Sequence, residues 1–128
     1  MCVLLFGSCG AAIILYFDRS LAPFLLYRFE RLQLRKYLHE RPAEDKRALC
    51  QVYGAEHLLR LFMKLPKLLS HANLAEKDAA VLMERVNHLV AWLDGNRSRY
   101  FTSDYVRASA AYAAEVAALA ESMRSPWE

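Results

Sequence analysis

Apolar residues recur along this chain with the 3.6-residue period of an α-helix. The clearest stripe has members at i, i+4, i+7 and i+11, namely Leu58, Phe62, Leu65 and Leu69. Leu61 and Leu68 widen this stripe. A second stripe repeats the spacing: Leu82, Val86, Leu89 and Leu93. No segment shows the alternation of a strand, and no internal repeat is present. The pattern predicts an all-α fold, a compact helical bundle of about five helices.

Two prolines interrupt the apolar periodicity. Pro23 predicts that a helix through Ile14 ends near Leu21 and that a new helix runs through Tyr27. Pro66 lies inside the first stripe, where it should kink or divide the helix.

Local residue types also predict where helices begin and end. Asn73, with Glu76 three residues later, predicts the N-cap and capping box of the helix that carries the second stripe. Gly95 and Asn96 predict its C-terminus, with a left-handed residue there. An Ala-rich stretch, residues 108–123, predicts a last helix capped by Ser109, with Pro126 beyond its end.

The beginning of the sequence contains no charged side chain from Met1 to Phe17. No Lys or Arg precedes the apolar run, as a secretory signal would normally have. The run is also short for a bilayer span of roughly 20 residues, and Gly7, Ser8 and Gly10 lie inside it. A buried helix is therefore favoured over a membrane span, and a membrane-anchored helical protein remains the alternative function.

Composition and charge narrow the class of protein. A chain of 128 residues that is 55% hydrophobic fits one domain with a core. Residues 18–47 hold eight Lys and Arg against five Asp and Glu, which accounts for the whole net charge of +3. Within them Arg28, Arg31, Arg35 and Lys36 recur at helical spacing, and no aromatic residues alternate with them on that helix face. This favours an exposed helix face over a nucleic-acid groove, and residues 41–47 are expected to form a solvated loop.

The sequence shows no catalytic or metal-binding pattern. The three cysteines are too scattered for a disulfide scaffold, and no two of the four histidines lie within one helical turn. His57 sits among leucines and is expected to be a hydrogen-bonded buried histidine, and Cys50 a packed small side chain. Glycine-rich phosphate loops and nucleophile elbows are missing. We therefore expect no catalytic residues, no metal and no cofactor.

From residue 16 onward the sequence resembles the MRG domain, the helical domain of the mortality-factor-related and male-specific-lethal chromatin proteins. The resemblance rests on several blocks in the family's order: YFDRSL at 16–21, LLYRFER at 25–31, VYGAEHLLRLF at 52–62, LAEK at 74–77 and YFTSDY at 100–105. Joined across the variable loop, the second and third blocks are far more specific than a short motif.

The resemblance implies a function and a site. MRG-domain proteins are non-catalytic subunits of nuclear histone acetyltransferase and deacetylase complexes, and their domain binds partner peptides, several of the Phe-x-Leu-Pro kind, in a hydrophobic groove. By this resemblance Tyr27 of LLYRFER lines the groove and Lys64, just after the LLRLF block, borders it. Leu26 and Phe62 are expected neighbours, although either could belong to the core.

The resemblance also implies a domain organisation. We expect an apolar segment over residues 1–15 that does not resemble the family, followed by a partial MRG domain over 16–128 that lacks the family's N-terminal helices and the groove wall they supply. The leading hypothesis is a nuclear chromatin adaptor that binds protein subunits, with no direct nucleic-acid contact. A small helical enzyme built from scattered histidines and Cys50 ranks last, because no catalytic spacing supports it.

Overall fold

The part of the chain that the structure describes consists of helices joined by loops. The computed structural model describes residues 7–122, with side chains from residue 10 to residue 121. It contains α1 (Gly7–Ser20), a π-helical turn (Leu21–Leu25), α2 (Arg28–Glu40), a 3₁₀ turn (Leu49–Gln51), α3 (Ala55–Ser70), α4 (Glu76–Gly95), the single turn α5 (Arg97–Tyr100) and α6 (Ala110–Ser122). No strand occurs within these residues, and the predicted all-α class is confirmed. Residues 1–6 of the apolar segment, the predicted helix end at Met123 and Pro126 lie outside them.

The described residues form two compact units. The first combines the chain up to Leu25 with Lys46–Thr102, and the second combines Leu26–Asp45 with the residues from Ser103 onward. The first unit therefore contains α1, the π-helical turn, α3, α4 and α5, while the second contains α2 and α6.

The core of the first unit is built on α3, which packs against α1, the π-helical turn and α4. Both predicted stripes face inward along their helices, and their buried members include Leu61, Phe62, Leu65, Val86, Leu89 and Leu93. The π-helical turn packs against α3, and its Leu21 and Leu25 are fully buried. The helical period of the sequence thus places the apolar face of α3 and α4 correctly.

Helix α1 is buried on one side only. Phe17 and Ser20 are buried, whereas Leu15 remains 53% exposed and Tyr16 is also exposed. The expectation of a buried helix is therefore wrong for the side of α1 that carries Leu15 and Tyr16, because no neighbouring element covers this side within the described residues. No helix there is both long and apolar enough to cross a bilayer.

The two prolines act differently from each other. Helix α1 ends at Ser20, next to the predicted end, and the chain continues through Pro23 in the wider π-helical turn. Helix α2 then begins at Arg28, with Tyr27 as its N-cap residue. Pro66, in contrast, lies inside a continuous α3, so it does not divide the helix, and the kink that was the other expectation stays a prediction. Buried residues on the preceding turn hold the helix in place by tertiary packing.

Two predictions about the ends of α4, its N-cap residue and a left-handed residue at its C-terminus, are wrong. Its N-cap residue is Ala75 rather than Asn73, since the N–H groups of Asp78 and Ala79 both donate to the Ala75 carbonyl. The helix ends at Gly95 as predicted, but Asn96 has φ −114° and is not left-handed. Instead Asn96 closes the helix with its side chain, whose Nδ2 donates to the Trp92 carbonyl at 2.8 Å.

The second unit pairs α2 with α6. Ser109 caps α6 as predicted: its Oγ accepts a hydrogen bond from the Tyr112 N–H at 3.2 Å. Lys36 Nζ lies 2.7 Å from Glu115 Oε2, and the Tyr112 hydroxyl donates to the Phe29 carbonyl. The buried hydrophobic residues of the two helices, among those described, are Leu32 and Leu34 on α2 and Val116 on α6.

The loop after α2 is mostly exposed, as predicted, yet it is held closed by specific contacts. Arg41 Nε donates to the Asp45 carbonyl at 2.6 Å, and Nη2 of the same guanidinium donates to that oxygen as well. The Tyr37 hydroxyl donates to the Asp45 carboxylate at 3.3 Å.

Candidate peptide-binding surface

Tyr27 and Leu26 are consecutive residues with opposite environments. The side chain of Tyr27 is 64% exposed, whereas Leu26 is buried. The backbone of Tyr27 is held on both sides: its N–H donates to Glu30 Oε2 at 2.7 Å, and its carbonyl accepts from Glu30 and Arg31 at 3.0 and 3.1 Å. The N-terminus of α2 thus presents an aromatic ring to solvent from a fixed position.

Lys64 and Phe62 lie two residues apart on α3, which places them on different faces. Phe62 is buried in the core of the first unit, and Lys64 is exposed. The ammonium group of Lys64 donates to the carbonyl of Phe24, in the π-helical turn. The side chain of Phe24 is itself 55% exposed.

One turn earlier on α3, Arg60 makes the corresponding contact. Its Nη1 donates to the carbonyl of Leu25 at 3.1 Å. Carbonyls at the end of a helical segment lack intrahelical donors, and cations are favoured there. Two cations of α3 therefore bind consecutive carbonyls at the end of the π-helical turn and fix this turn to the helix.

A separate cavity of about 250 Å³ opens at the start of α3. Its lining includes Tyr53, Glu56, His57 and Tyr100. The Tyr53 and His57 rings meet edge to face, with centroids 4.8 Å apart. His57 is half-buried rather than buried as predicted, because its ring lies at this opening instead of among the leucines of α3. None of the four predicted groove residues belongs to the lining.

Metal-ligand geometry is not found in the part of the chain described. Across residues 10–121 no three side chains of His, Cys, Asp or Glu gather as a metal site would require. Cys50 is half-buried in the 3₁₀ turn, where its backbone N–H donates to Asp18 Oδ1 at 2.6 Å.

Comparison with known proteins identifies the family. The family model described as MRG matches residues 3–107, most of the chain. The chain belongs to the MRG family. The MRG match contains all four predicted groove residues, and it begins inside the segment 1–15. The predicted boundary between residues 15 and 16 stays a prediction.

Several curated relatives of this MRG chain are chromatin proteins. It is 44% identical over 105 residues to chromatin modification-related protein EAF3 of Yarrowia lipolytica, covering 81% of the chain and 27% of that relative. It is 42% identical over 97 residues to the NuA4 complex subunit EAF3 homolog of Dictyostelium discoideum, covering 76% of the chain and 25% of the relative. Human mortality factor 4-like protein 2 is 41% identical over 98 residues, which cover 76% of the chain and 33% of the relative. The matched part is thus between a quarter and a third of each of these relatives.

Of the four predicted groove residues of the MRG chain, Leu26 and Tyr27 lie in the second unit, and Phe62 and Lys64 lie in the first. A groove that contains all four stays a prediction. Phe24 and Arg60 were not among the residues predicted from the sequence. Pro23 was a usable signal for a turn at this point of the chain, whereas the contact of Arg60 with a backbone carbonyl leaves no mark in the sequence.

Proposed function

We propose that this MRG chain acts as a non-catalytic adaptor in nuclear chromatin-modifying complexes, where it binds short apolar peptide segments of other subunits. The proposal is supported by membership of the MRG family and by relatives named as chromatin modification-related proteins and as a NuA4 complex subunit homolog. Peptides of the Phe-x-Leu-Pro kind, expected from the family resemblance, are the proposed ligands.

The exposed ring of Tyr27 is the single observation that carries the binding part of this proposal. Large aromatic side chains that remain exposed are typical anchors for a partner, since an apolar ring with a polar tip gains both burial and a hydrogen bond on binding. The backbone of Tyr27 is already fixed by Glu30 and by the first turn of α2. Binding to a ring held in this way costs less ordering entropy than binding to a mobile loop.

Lys64 is proposed to act at the edge of the binding surface. Its ammonium group is exposed while donating to the Phe24 carbonyl, so its charge remains available to a peptide carboxylate at the surface. Because Lys64 also holds the π-helical turn, its removal would combine a structural effect with a binding effect. Tyr27 is therefore the cleaner position for a test.

The test compares Tyr27→Ala with a matched Tyr16→Ala variant of the whole chain, by calorimetric titration with a Phe-x-Leu-Pro peptide. Tyr16 is another exposed tyrosine, located on α1. We expect Tyr27→Ala to weaken the peptide about tenfold or more, as loss of an aromatic anchor does, and Tyr16→Ala to leave its affinity unchanged.

Circular dichroism of both variants serves as the control for folding. If a folded Tyr27→Ala variant keeps the affinity of the original chain, the assignment of Tyr27 is wrong. If the original chain binds no such peptide, the proposed ligand class is wrong.

A further inference from the structure

Two cations of different chemistry hold the end of the π-helical turn. Lys64 Nζ donates to the Phe24 carbonyl, and Arg60 Nη1 donates to the Leu25 carbonyl at 3.1 Å. A guanidinium group keeps its charge permanently, whereas the amine of a lysine loses its charge when it is acylated. The turn therefore has one permanent attachment and one that a covalent modification can remove.

The amine of Lys64 can be reached from solvent while it makes this contact. The side chain of Lys64 is exposed on α3, and the preceding residue, Met63, is 84% exposed. The residue that supplies the acceptor also lies at the surface, since Phe24 is 55% exposed. A modifying enzyme can thus approach the amine without unfolding α3.

The next lysine of α3 does not hold the turn. Lys67 is exposed, as Lys64 is, but its ammonium group has no hydrogen-bond or salt-bridge partner in the part of the chain that the structure describes. Acylation of Lys67 would remove the same charge from the same helix and leave the turn attached. The two lysines therefore separate the effect of the contact from the effect of charge alone.

We propose that Lys64 is an acylation site, and that its acylation releases the Phe24 side of the π-helical turn. The ammonium group first gives up one proton, and the amine then attacks the carbonyl carbon of an acyl thioester such as acetyl-coenzyme A. A new N–C bond replaces the C–S bond, so that the net products are an amide at Nζ, a free thiol and one proton.

The release is confined to one side of the turn. The amide retains a single N–H but has lost the charge that makes a hydrogen bond from an ammonium group strong. Arg60 still binds the neighbouring carbonyl, and the side chains of Leu21 and Leu25 remain buried. This inference rests on contacts within the first unit and does not depend on the proposed function.

Hydrogen exchange followed by mass spectrometry tests the release. The whole chain is compared with two forms that carry acetyl-lysine at position 64 or at position 67. Acetylation of Lys64 should speed amide exchange in residues 21–25 roughly threefold to tenfold, whereas acetylation of Lys67 should leave it unchanged. Unchanged exchange in the form acetylated at Lys64 would overturn the proposal. An equal rise in the amides of α4 would also overturn it, because that result shows global destabilisation.

Two substitutions separate charge from side-chain identity. Lys64→Arg keeps a cation that cannot be acetylated and should leave the turn as protected as in the original chain, whereas Lys64→Gln should behave like the acetylated form. If both variants raise the exchange of residues 21–25 equally, the charge does not hold the turn and the proposal fails.

Mass spectrometry of the whole chain produced in eukaryotic cells with a deacetylase inhibitor tests whether the amine is modified. We expect an acetyl group on Lys64. Its absence from Lys64 would overturn the assignment of the site, whether or not other lysines of the chain are acetylated.

Discussion

Replacement of Pro66 by alanine should stabilise the protein. Pro66 lies inside α3, where it has no N–H to donate to the carbonyl of Phe62, one turn earlier. Its ring is exposed, so the change to alanine removes little packing. Pro66→Ala restores the missing donor of the helix and relieves the clash that a proline ring makes with the preceding turn.

The magnitude follows from two opposing terms. A proline in the interior of a helix is about 3 kcal/mol less favourable than alanine. Proline also restricts the unfolded chain, and its loss returns about 0.4–1 kcal/mol in the opposite direction. The net expectation is an increase of about 2 kcal/mol in the free energy of unfolding, which corresponds to a rise in Tm of roughly 8 °C for a chain of this length.

Urea unfolding followed by circular dichroism measures this change, with Lys67→Ala as the matched control. Lys67 is the next residue of α3 and is also exposed, so its variant should stay within about 0.5 kcal/mol of the original. Equal or lower stability of Pro66→Ala would refute the reasoning, because it would show that the packing around Phe62 and Leu65 is adapted to the proline.

Two further predictions concern buried and charged positions. Leu61→Ala should lower the free energy of unfolding by about 2–5 kcal/mol, and Met63→Ala by no more than about 0.5 kcal/mol, since Leu61 is 1% exposed and Met63 is 84% exposed. If chemical denaturation shows similar losses of unfolding free energy for both variants, the assignment of Leu61 to the buried face of α3 and of Met63 to its exposed face is wrong. The hydrogen bond that the Lys36 ammonium group donates to the Glu115 carboxylate raises the pKa of Lys36 above its ordinary value of 10.5. Because the pKa of Lys36 is higher in the folded than in the unfolded chain, the stability that this pair contributes is present below pH 10.5 and is lost as the pH rises through the folded-state pKa. The difference in free energy of unfolding between the original chain and Lys36→Met should therefore shrink as the pH is raised through this range. A constant difference across it would contradict the assigned pair.

The helical period predicted the core better than residue types predicted the helix ends. Phe62, Leu65, Val86 and Leu89 are buried as their spacing indicates, because one face of a helix in a small protein must be covered. Asn73 was predicted as the N-cap of α4, but the N-cap is Ala75, a residue type that caps helices poorly. The helix that follows packs against α3. Tertiary packing selects the first residue of this helix over local capping preference.

The candidate binding surface was predicted only through the family resemblance. Nothing in the periodicity distinguishes an exposed Tyr27 from a core tyrosine, and its exposure follows from its position before α2 rather than within it. The contacts of Arg60 and Lys64 were not predictable, since their acceptors are backbone carbonyls that every residue type carries. The sequence shows the donors but not which turn of the chain they meet.

The attachment of the π-helical turn through its main chain has a consequence for divergence within the family. Lys64 binds the carbonyl of Phe24, whereas the exposed ring of Phe24 plays no part in that contact. Substitutions at position 24 can therefore accumulate after gene duplication without releasing the turn. Duplicated copies of such a gene would keep the same framework while the side chain displayed at position 24 changes from one copy to the next.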